Sequence, residues 1–175
     1  MSKIEAFRKR RDTFFLKHPN SPLTAEQKTN FQGMNYFPEN PELEFLLQLE
    51  RFETPEEVQI NTTTGESQTF KRIGHLKFNI DGKETELTLY SGSKGYFLPF
   101  ADSMAGDETY PIGRYLEVKP RGKDRFEVDF NMAYNPFCAY SEGFSCLITP
   151  DEHRIDVPIR AGERVFKTWF HRNLL

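Results

Sequence analysis

Alternating apolar and polar positions dominate the chain beyond residue 42 and predict β-strands. Apolar residues fall on every second position from Leu43 to Leu49, and turn residues follow. The same alternation recurs at residues 58–60, 74–90, 96–100, 114–118, 125–131 and 155–159, and a last apolar pair stands at 165–166. We therefore expect about eight strands with mostly short connections, as in an antiparallel sheet.

The clearest local signal is a hairpin centred on Asp81-Gly82. Both residues of a type I′ turn need positive φ, which Asp-Gly adopts readily. The alternation on either side then sets Leu76 opposite Leu87 on the core face. On the other face it sets Lys77 opposite Glu86, a favourable cross-strand pair.

Helical spacing is confined to the N-terminal segment. Ser2 and Glu5 form a capping box, and the apolar spacing that follows predicts a helix over residues 3–17. The residues predicted to be buried on its inner side are Ile4, Phe7 and Phe14. A second capping box at residues 24–27 predicts a short helix.

These elements predict an α+β, mainly β protein, in which an antiparallel β-barrel or sandwich carries packed N-terminal helices. Its 175 residues suit a single domain. We divide it into a helical and loop segment (1–40), a β-rich body (41–166) and a C-terminal tail (167–175).

Charge and hydropathy narrow the range of partners. The net charge of −3 offers no field for nucleic acid or anionic membranes, and the basic run 8–11 is interpreted as a solvated helix face. No apolar run reaches the length of a membrane span, and no secretory signal is recognisable. We expect a cytoplasmic protein that binds neither nucleic acid nor membranes, and its oligomeric state stays open.

In that compartment the two cysteines are expected to be reduced thiols. Cys138, Cys146 and His153 are residue types found in zinc sites, but seven residues separate the thiols, more than in a Cys-x2–4-Cys knuckle. We therefore expect no metal and two buried cysteines that pack the loop.

Candidate chemistry collects where the strand at 125–131 becomes a loop. Asn135 precedes Pro136, and a residue before proline is kept extended, so the regular element ends there. Loops held by a rigid scaffold often carry binding and catalytic residues. The polar, aromatic and thiol residues of this stretch are Asp129, Asn131, Tyr134, Asn135, Cys138 and Tyr140.

Several pieces of the chain, in order, resemble one family signature. They are Phe100-Ala-Asp102, residues 106–110, residues 113–116, residues 129–136, Cys138-Ala-Tyr140, Cys146, Pro150 and Ala161-Gly-Glu163. Over about residues 20–166 the chain resembles the bacterial and archaeal family of domain of unknown function number 1684. The resemblance implies no activity, because the family is named for lacking one.

Arg114 shares its strand face with Leu116 and is therefore expected on the core side. A buried guanidinium must be paired, and the candidate partners are Asp102, Asp129 and Glu163. Two interpretations stay open. Arg114 forms an ion pair that pins the barrel, or it is a fork that holds a carboxylate or phosphate ligand.

We expect the polar residues of the signature to converge on one concavity near the barrel mouth. The predicted ligand-binding residues are Asp102, Tyr110, Arg114, Asn131, Tyr134, Asn135 and Tyr140. Asp129 and Glu163 are the candidate acid and base of a catalytic site. Cys138 is a candidate nucleophile if His153 or His75 acts as its base.

Three classes of function remain open. The first is a binding protein for a small anionic ligand at Arg114. The second is a hydrolase-like enzyme that uses Asp129 and Glu163, or Cys138, in the same pocket. The third is a structural or interaction domain whose polar network is buried without a pocket. The cofactor is unknown, and the sequence does not say whether the protein is an enzyme.

Overall fold

The computed structural model describes residues 1–166 of the 175-residue chain. Helix α1 spans Lys3–Lys17 and helix α2 spans Ala25–Thr29. The strands of the described part are β1 (Glu44–Gln48), β2 (Glu50–Asn61), β3 (Ser67–Ile80), β4 (Lys83–Gly92), β5 (Gly95–Phe100), β6 (Arg114–Pro120) and β7 (Arg125–Asp129). Short 3-10 turns lie at Pro41–Leu43, Phe130–Met132, Phe137–Ala139 and Asp151–His153. The predicted tail at 167–175 lies outside the described residues.

All these strands form one antiparallel sheet in the order β1-β7-β6-β5-β4-β3-β2. The two ends of this order, β1 and β2, follow each other in the chain with only Leu49 between them. The sheet therefore curls into a half-barrel. The predicted fold class, mainly β and antiparallel with an N-terminal helical part, is confirmed. No helix among residues 1–166 is long and apolar enough to cross a membrane.

Strands β3 and β4 meet at the predicted two-residue turn. Asp81-Gly82 has φ values of 51° and 79°. The register pairs Leu76 with Leu87 and Lys77 with Glu86, as predicted. A shift by one residue would turn the apolar set outward, so burial of one face specifies this register.

The inner face of the half-barrel carries the main core. Phe130 lies at its centre, with ring centroids 6.1 Å from Phe45, 5.3 Å from Phe78 and 5.2 Å from Phe100. Such aromatic pairs contribute about 1 kcal/mol each beyond their buried area. The other fully buried core residues from the strands include Leu76, Leu87, Leu89, Leu98, Leu116 and Val128.

Helix α1 occupies the predicted residues and begins at the predicted capping box. Its burial differs in part from the prediction. Ile4 is buried, but Phe7 and Phe14 are only half-buried, and Phe15 is the fully buried aromatic residue. The reason is that α1 turns the face of Ile4, Arg11 and Phe15 inward, since Arg11 reaches a carboxylate beneath the helix.

The predicted late strand at 155–159 is wrong, because this segment is irregular. The N–H of Ile155 donates to the Ala101 carbonyl at 2.9 Å. The N–H of Ile159 instead donates to Oδ2 of Asp102 at 2.8 Å. Residues 153–157 make three backbone bonds to residues 101–103, but at Ile159 a carboxylate replaces the next backbone partner, so the pairing does not continue as a strand.

Candidate functional site

The predicted site residues separate into groups instead of lining one concavity. Asp102 and Arg114 form one buried network, and Asn135, Tyr140 and Glu163 form a second. Asp129 and Asn131 form a third group at the end of β7. Tyr110 is buried in an apolar cluster, and Tyr134 lies at the surface between two concavities.

Arg114, at the start of β6, is held entirely by protein groups. It is 1% exposed, and its guanidinium donates to the carbonyls of Ile159 at 2.8 Å, of Glu163 at 3.1 Å and of Ala161. The predicted carboxylate partner is confirmed, because Nη2 lies 3.7 Å from Oδ2 of Asp102. Burial lowers the pKa of Arg114 to about 10, while the charges of Asp102 and Glu163 act to raise it. These contacts pin segment 159–163 onto β6 and leave no access for an external anion.

Asp102, just after β5, ties two irregular segments together. It is buried, and its Oδ1 accepts from the Thr109 hydroxyl at 2.6 Å. Its Oδ2 accepts from the N–H of Ile159. Both carboxylate oxygens therefore accept hydrogen bonds that hold the fold together.

Glu163 is the centre of the second buried network. It is 0% exposed, and its Oε1 accepts from Nε of Arg11 at 2.6 Å. Its Oε2 accepts from the N–H of Asn135 at 2.8 Å and from the hydroxyl of Tyr140. Burial, followed by the charge of Glu163, raises the pKa of Tyr140 well above its usual value. Glu163 also holds the pKa of Arg11 above its ordinary value although burial opposes this.

The third group lies where β7 ends. Asp129 is buried, and its Oδ1 accepts from the backbone N–H of Asn131 at 3.0 Å and from the side-chain amide at 2.9 Å. Asn131 in turn exchanges two bonds of 2.8 Å with the backbone of Asn40. Asp129 therefore caps the 3-10 turn after β7, which is why the strand ends two residues earlier than predicted.

The two predicted catalytic carboxylates have separate partners. Lys3 lies 3.6 Å from Asp129, whereas Arg11 binds Glu163. Lys3 and Arg11 are eight residues apart on α1, roughly 12 Å along the helix axis. Each carboxylate is thus occupied within its own network.

An acidic cluster borders Asp129. Carboxylate oxygens of Glu44, Glu127 and Asp129 lie within 4.8 Å of one another, as metal ligands would. The Lys3 ammonium contacts all three, at 4.0 Å from Glu44 and at bonding distance from Glu127. Lys3, opposed by burial and helped by Arg121, lowers the pKa of Glu127. The position between these three carboxylates is therefore occupied by the Lys3 ammonium, which offsets part of their charge.

The two cysteines correct the expectation of reduced thiols. Cys138 and Cys146 are joined by a disulfide, with their Cα atoms 6.5 Å apart. The 3-10 turn at Phe137–Ala139 and the bond from the N–H of Cys146 to the Thr63 hydroxyl fold the loop so that the sulfurs meet. The expectation of reduced thiols rested on the expected cytoplasmic location, which says nothing about how close the two cysteines lie. A bonded Cys138 is neither a nucleophile nor a metal ligand.

His153 is occupied on both ring nitrogens. Its Nε2 accepts from the N–H of Thr88 at 3.1 Å, and its Nδ1 bonds the carbonyl of Pro99. Its ring stacks on Tyr90 at 4.8 Å, and burial lowers its pKa to about 4. It is a neutral core residue and does not serve Cys138. His75 lies elsewhere, 3.0 Å from Glu86.

Two adjoining concavities meet at Tyr134. The first, which we call the polar groove, has a volume of about 270 Å³ between α1 and strands β6 and β7. It is lined by Phe7, Arg10, Leu116, Glu117, Lys119, Glu127, Asp129, Met132 and Tyr134. The second, the aromatic cleft, has a volume of about 200 Å³ on the outer face of the sheet. Its principal residues are Phe70, Lys94, Tyr96, Phe97, Tyr115, Glu117, Tyr134 and Leu147.

In the polar groove some charged side chains form ion pairs and others do not. Lys3 contacts both Glu127 and Asp129. Arg10 and Lys119, in contrast, have no ion pair within 4.0 Å among residues 1–166, and both are exposed. Sequence reasoning missed both, because Arg10 looked like part of a solvated helix face and Lys119 carried no motif.

A third concavity, of about 300 Å³, has a lining cation that is fully paired. Its only lining cation, Arg72, is bonded to Glu56 at 2.7 Å and to Glu152 at 2.6 Å. The hydroxyl of Tyr90 also donates to Glu152. Its charged groups therefore satisfy one another.

Comparison with known proteins agrees with the sequence resemblance. The chain is similar to the solution NMR structure of the uncharacterized protein from gene locus rrnAC0354 of Haloarcula marismortui, with 34% identity and a TM-score of 0.71. The match covers 93% of this chain and 92% of that chain. No curated protein matches significantly. Residues 29–164, more than half of the chain, match the family described as "Protein of unknown function (DUF1684)". The chain therefore belongs to the DUF1684 family.

Proposed function

We propose that the protein binds a small anionic ligand in the polar groove. The observation that carries the proposal is the pair of cations, Arg10 and Lys119, which lack carboxylate partners in the described structure. Of the three acidic residues of the same groove, Glu127 and Asp129 are contacted by Lys3, and the exposed Glu117 accepts from the Tyr134 hydroxyl at 3.3 Å. The function class is the one predicted from the sequence, but the anion-holding residues are Arg10 and Lys119 in place of Arg114.

The two cations suit a carboxylate or phosphate group. Arg10 offers a planar fork that can donate two parallel bonds, and Lys119 adds a mobile point charge. They come from two elements, α1 and β6, so a ligand between them would be clamped from both sides. Phe7 and Met132 supply apolar contact for the rest of the ligand.

The other two function classes receive less support. A hydrolase-like enzyme needs an accessible nucleophile or base, but Cys138 is in a disulfide and Glu163 is fully buried with three bonded partners. Asp129 is 4% exposed and caps a turn. The structural interpretation fits the networks of Arg114 and Glu163, which stabilise the scaffold beside the groove.

The proposal is tested by titrating 15N-labelled protein with inorganic phosphate and with short carboxylates. We expect saturable shifts of amides around the polar groove that weaken as salt is added. Arg10→Glu and Lys119→Glu should each weaken binding by about tenfold or more, because attraction becomes repulsion.

Two exposed lysines outside the groove provide matched controls. Lys9→Glu on α1 and Lys123→Glu after β6 make the same kind of charge reversal and should leave the affinity within about twofold. Equal losses in all four variants would show a general charge effect and would refute the proposal.

The cytoplasmic location remains part of this proposal, as does the absence of nucleic-acid and membrane partners. The disulfide counts against the cytoplasmic location, since such bonds are rare in the cytoplasm of most organisms. Fractionation of cells that make the full chain tests it, and recovery outside the cytoplasmic fraction would contradict it.

A further inference from the structure

We propose that the ligand also carries an aromatic body, which lies in the aromatic cleft while its anionic group lies in the polar groove. This inference rests on the proposed function for the anionic end. It adds the chemical class of the ligand, an elongated aromatic acid.

Four rings form a continuous row along the cleft. Phe70 and Phe97 are stacked at 5.7 Å, Phe97 meets Tyr115 edge-on at 5.2 Å, and Tyr115 meets Tyr134 edge-on at 6.0 Å. All four are only half-buried. Phe70, Phe97 and Tyr115 also pack against the buried residues Ile60, Tyr90 and Leu147, so the row is the open side of a small second core. Its partly exposed rings form an apolar surface on which the apolar part of a ligand can be buried.

Tyr134 and Glu117 make the two concavities continuous, because both line each of them. The hydroxyl of Tyr115 is committed to the Leu147 carbonyl at 2.6 Å. That of Tyr134 makes only a 3.3 Å bond to the exposed Glu117. A bond of this length is weak, and the Tyr134 hydroxyl can donate to a ligand instead.

Strand geometry sets the length of the ligand. Tyr115, Glu117 and Lys119 alternate on the outer face of β6, and two residues along a strand span about 6.6 Å. An anionic group beside Lys119 and a ring against Tyr115 are therefore about 13 Å apart, and a ring against Tyr134 lies nearer. A phenyl-substituted medium-chain acid has this shape, whereas a bare anion fills only one end.

The experiment compares octanoate with 8-phenyloctanoate by NMR titration of the full chain. We expect 8-phenyloctanoate to bind about tenfold more tightly, from ring burial. Its ring protons should show intermolecular NOEs to Phe70 and Phe97. Phe97→Leu should lower the ratio of the two affinities, and Phe52→Leu, a half-buried ring outside the cleft, should not.

The possible outcomes separate this inference from the proposed function. Equal affinity of the two acids, without ring NOEs in the cleft, overturns the inference and leaves anion binding standing. Saturation by neither acid contradicts the proposed function itself. Shifts of the cleft amides that grow with protein concentration alone would assign the cleft to a second copy of the chain and would also overturn the inference.

Discussion

A buried arginine fastens the last part of the described chain to the sheet. Segment 159–163 has no strand ladder of its own, and three of its carbonyls bond Arg114. A buried charge is tolerated when its bonds are satisfied, and its removal leaves acceptors unpaired in a low-dielectric interior.

We expect Arg114→Lys to lower the free energy of unfolding by about 3 kcal/mol, because one ammonium cannot reach all three carbonyls that the two arms of the guanidinium reach. Urea denaturation measures the change. Arg125→Lys, at an exposed position on β7, is the matched control and should cost under about 0.5 kcal/mol. A similar loss in both variants would contradict the structural role of Arg114.

His153 makes stability depend on pH. Burial lowers its pKa to about 4, and in the unfolded chain the value is about 6.5. Below about pH 6.5 His153 is protonated in the unfolded state but stays neutral in the folded state. The free energy of unfolding therefore falls as pH falls, until about pH 4. At pH 5 the loss amounts to about 2 kcal/mol.

His153→Gln should remove this contribution. We expect the unfolding free energy of the variant to change less between pH 7 and pH 5 than that of the natural chain. Carboxylates titrate in both proteins, so the difference between the two profiles isolates the histidine. Parallel profiles would mean that His153 has the same pKa in the folded and the unfolded state.

At the scale of elements, two glycines adopt positive φ for different reasons. Gly82 has φ 79° in the open hairpin turn, and a Cβ there would meet nothing within 4 Å. Gly162 has φ 75°, and a Cβ there would lie 2.6 Å from the Ala133 carbonyl and 2.8 Å from that of Phe130. Gly82→Ala should cost about 1 kcal/mol from backbone conformation alone. Gly162→Ala should cost clearly more, and equal denaturation midpoints would contradict the close packing.

The disulfide constrains the loop that leads from Cys138 to Leu147, on the wall of the aromatic cleft. Closing a loop of about nine residues contributes about 2–3 kcal/mol by restricting the unfolded chain. We expect the double variant Cys138→Ser, Cys146→Ser to lose this amount and to be insensitive to a dithiol reductant. The chain has two cysteines, so intact mass before and after reduction tests the bond directly. An unchanged mass would mean free thiols.

At the scale of the whole molecule, α1 is joined to the half-barrel by both charge and packing. Arg11 binds Glu163, Lys3 contacts Glu127, and Phe15 packs edge-on against Tyr140 at 4.8 Å. We therefore expect helix and sheet to unfold together, as the prediction of a single domain requires. Far-ultraviolet and near-ultraviolet circular dichroism should give one denaturation midpoint. Arg11→Met should shift both signals equally, and a separate early loss of helix would contradict the single domain.

Local chemistry made part of this fold predictable from sequence. The alternation of period two, the Asp81-Gly82 turn and the Ser2–Glu5 capping box act between neighbouring residues, so their consequences follow without knowledge of the rest of the chain. Local pattern also predicted that Arg114 lies in the core and is paired, because it shares its strand face with the apolar Leu116.

Other features depended on which distant segments meet. The bond between Cys138 and Cys146, the inward turn of Arg11 and the separate networks of Asp129 and Glu163 arise from contacts that sequence spacing does not encode. The polar groove is likewise made by α1 meeting β6 and β7. The sequence by itself determined most of the strands, the hairpin register and the family, since these follow from local pattern and residue identity. Only the tertiary structure decided which polar residues bond to other groups of the described chain and which cations have no carboxylate partner there. The reason is that pairing of charges depends on distances across the folded chain.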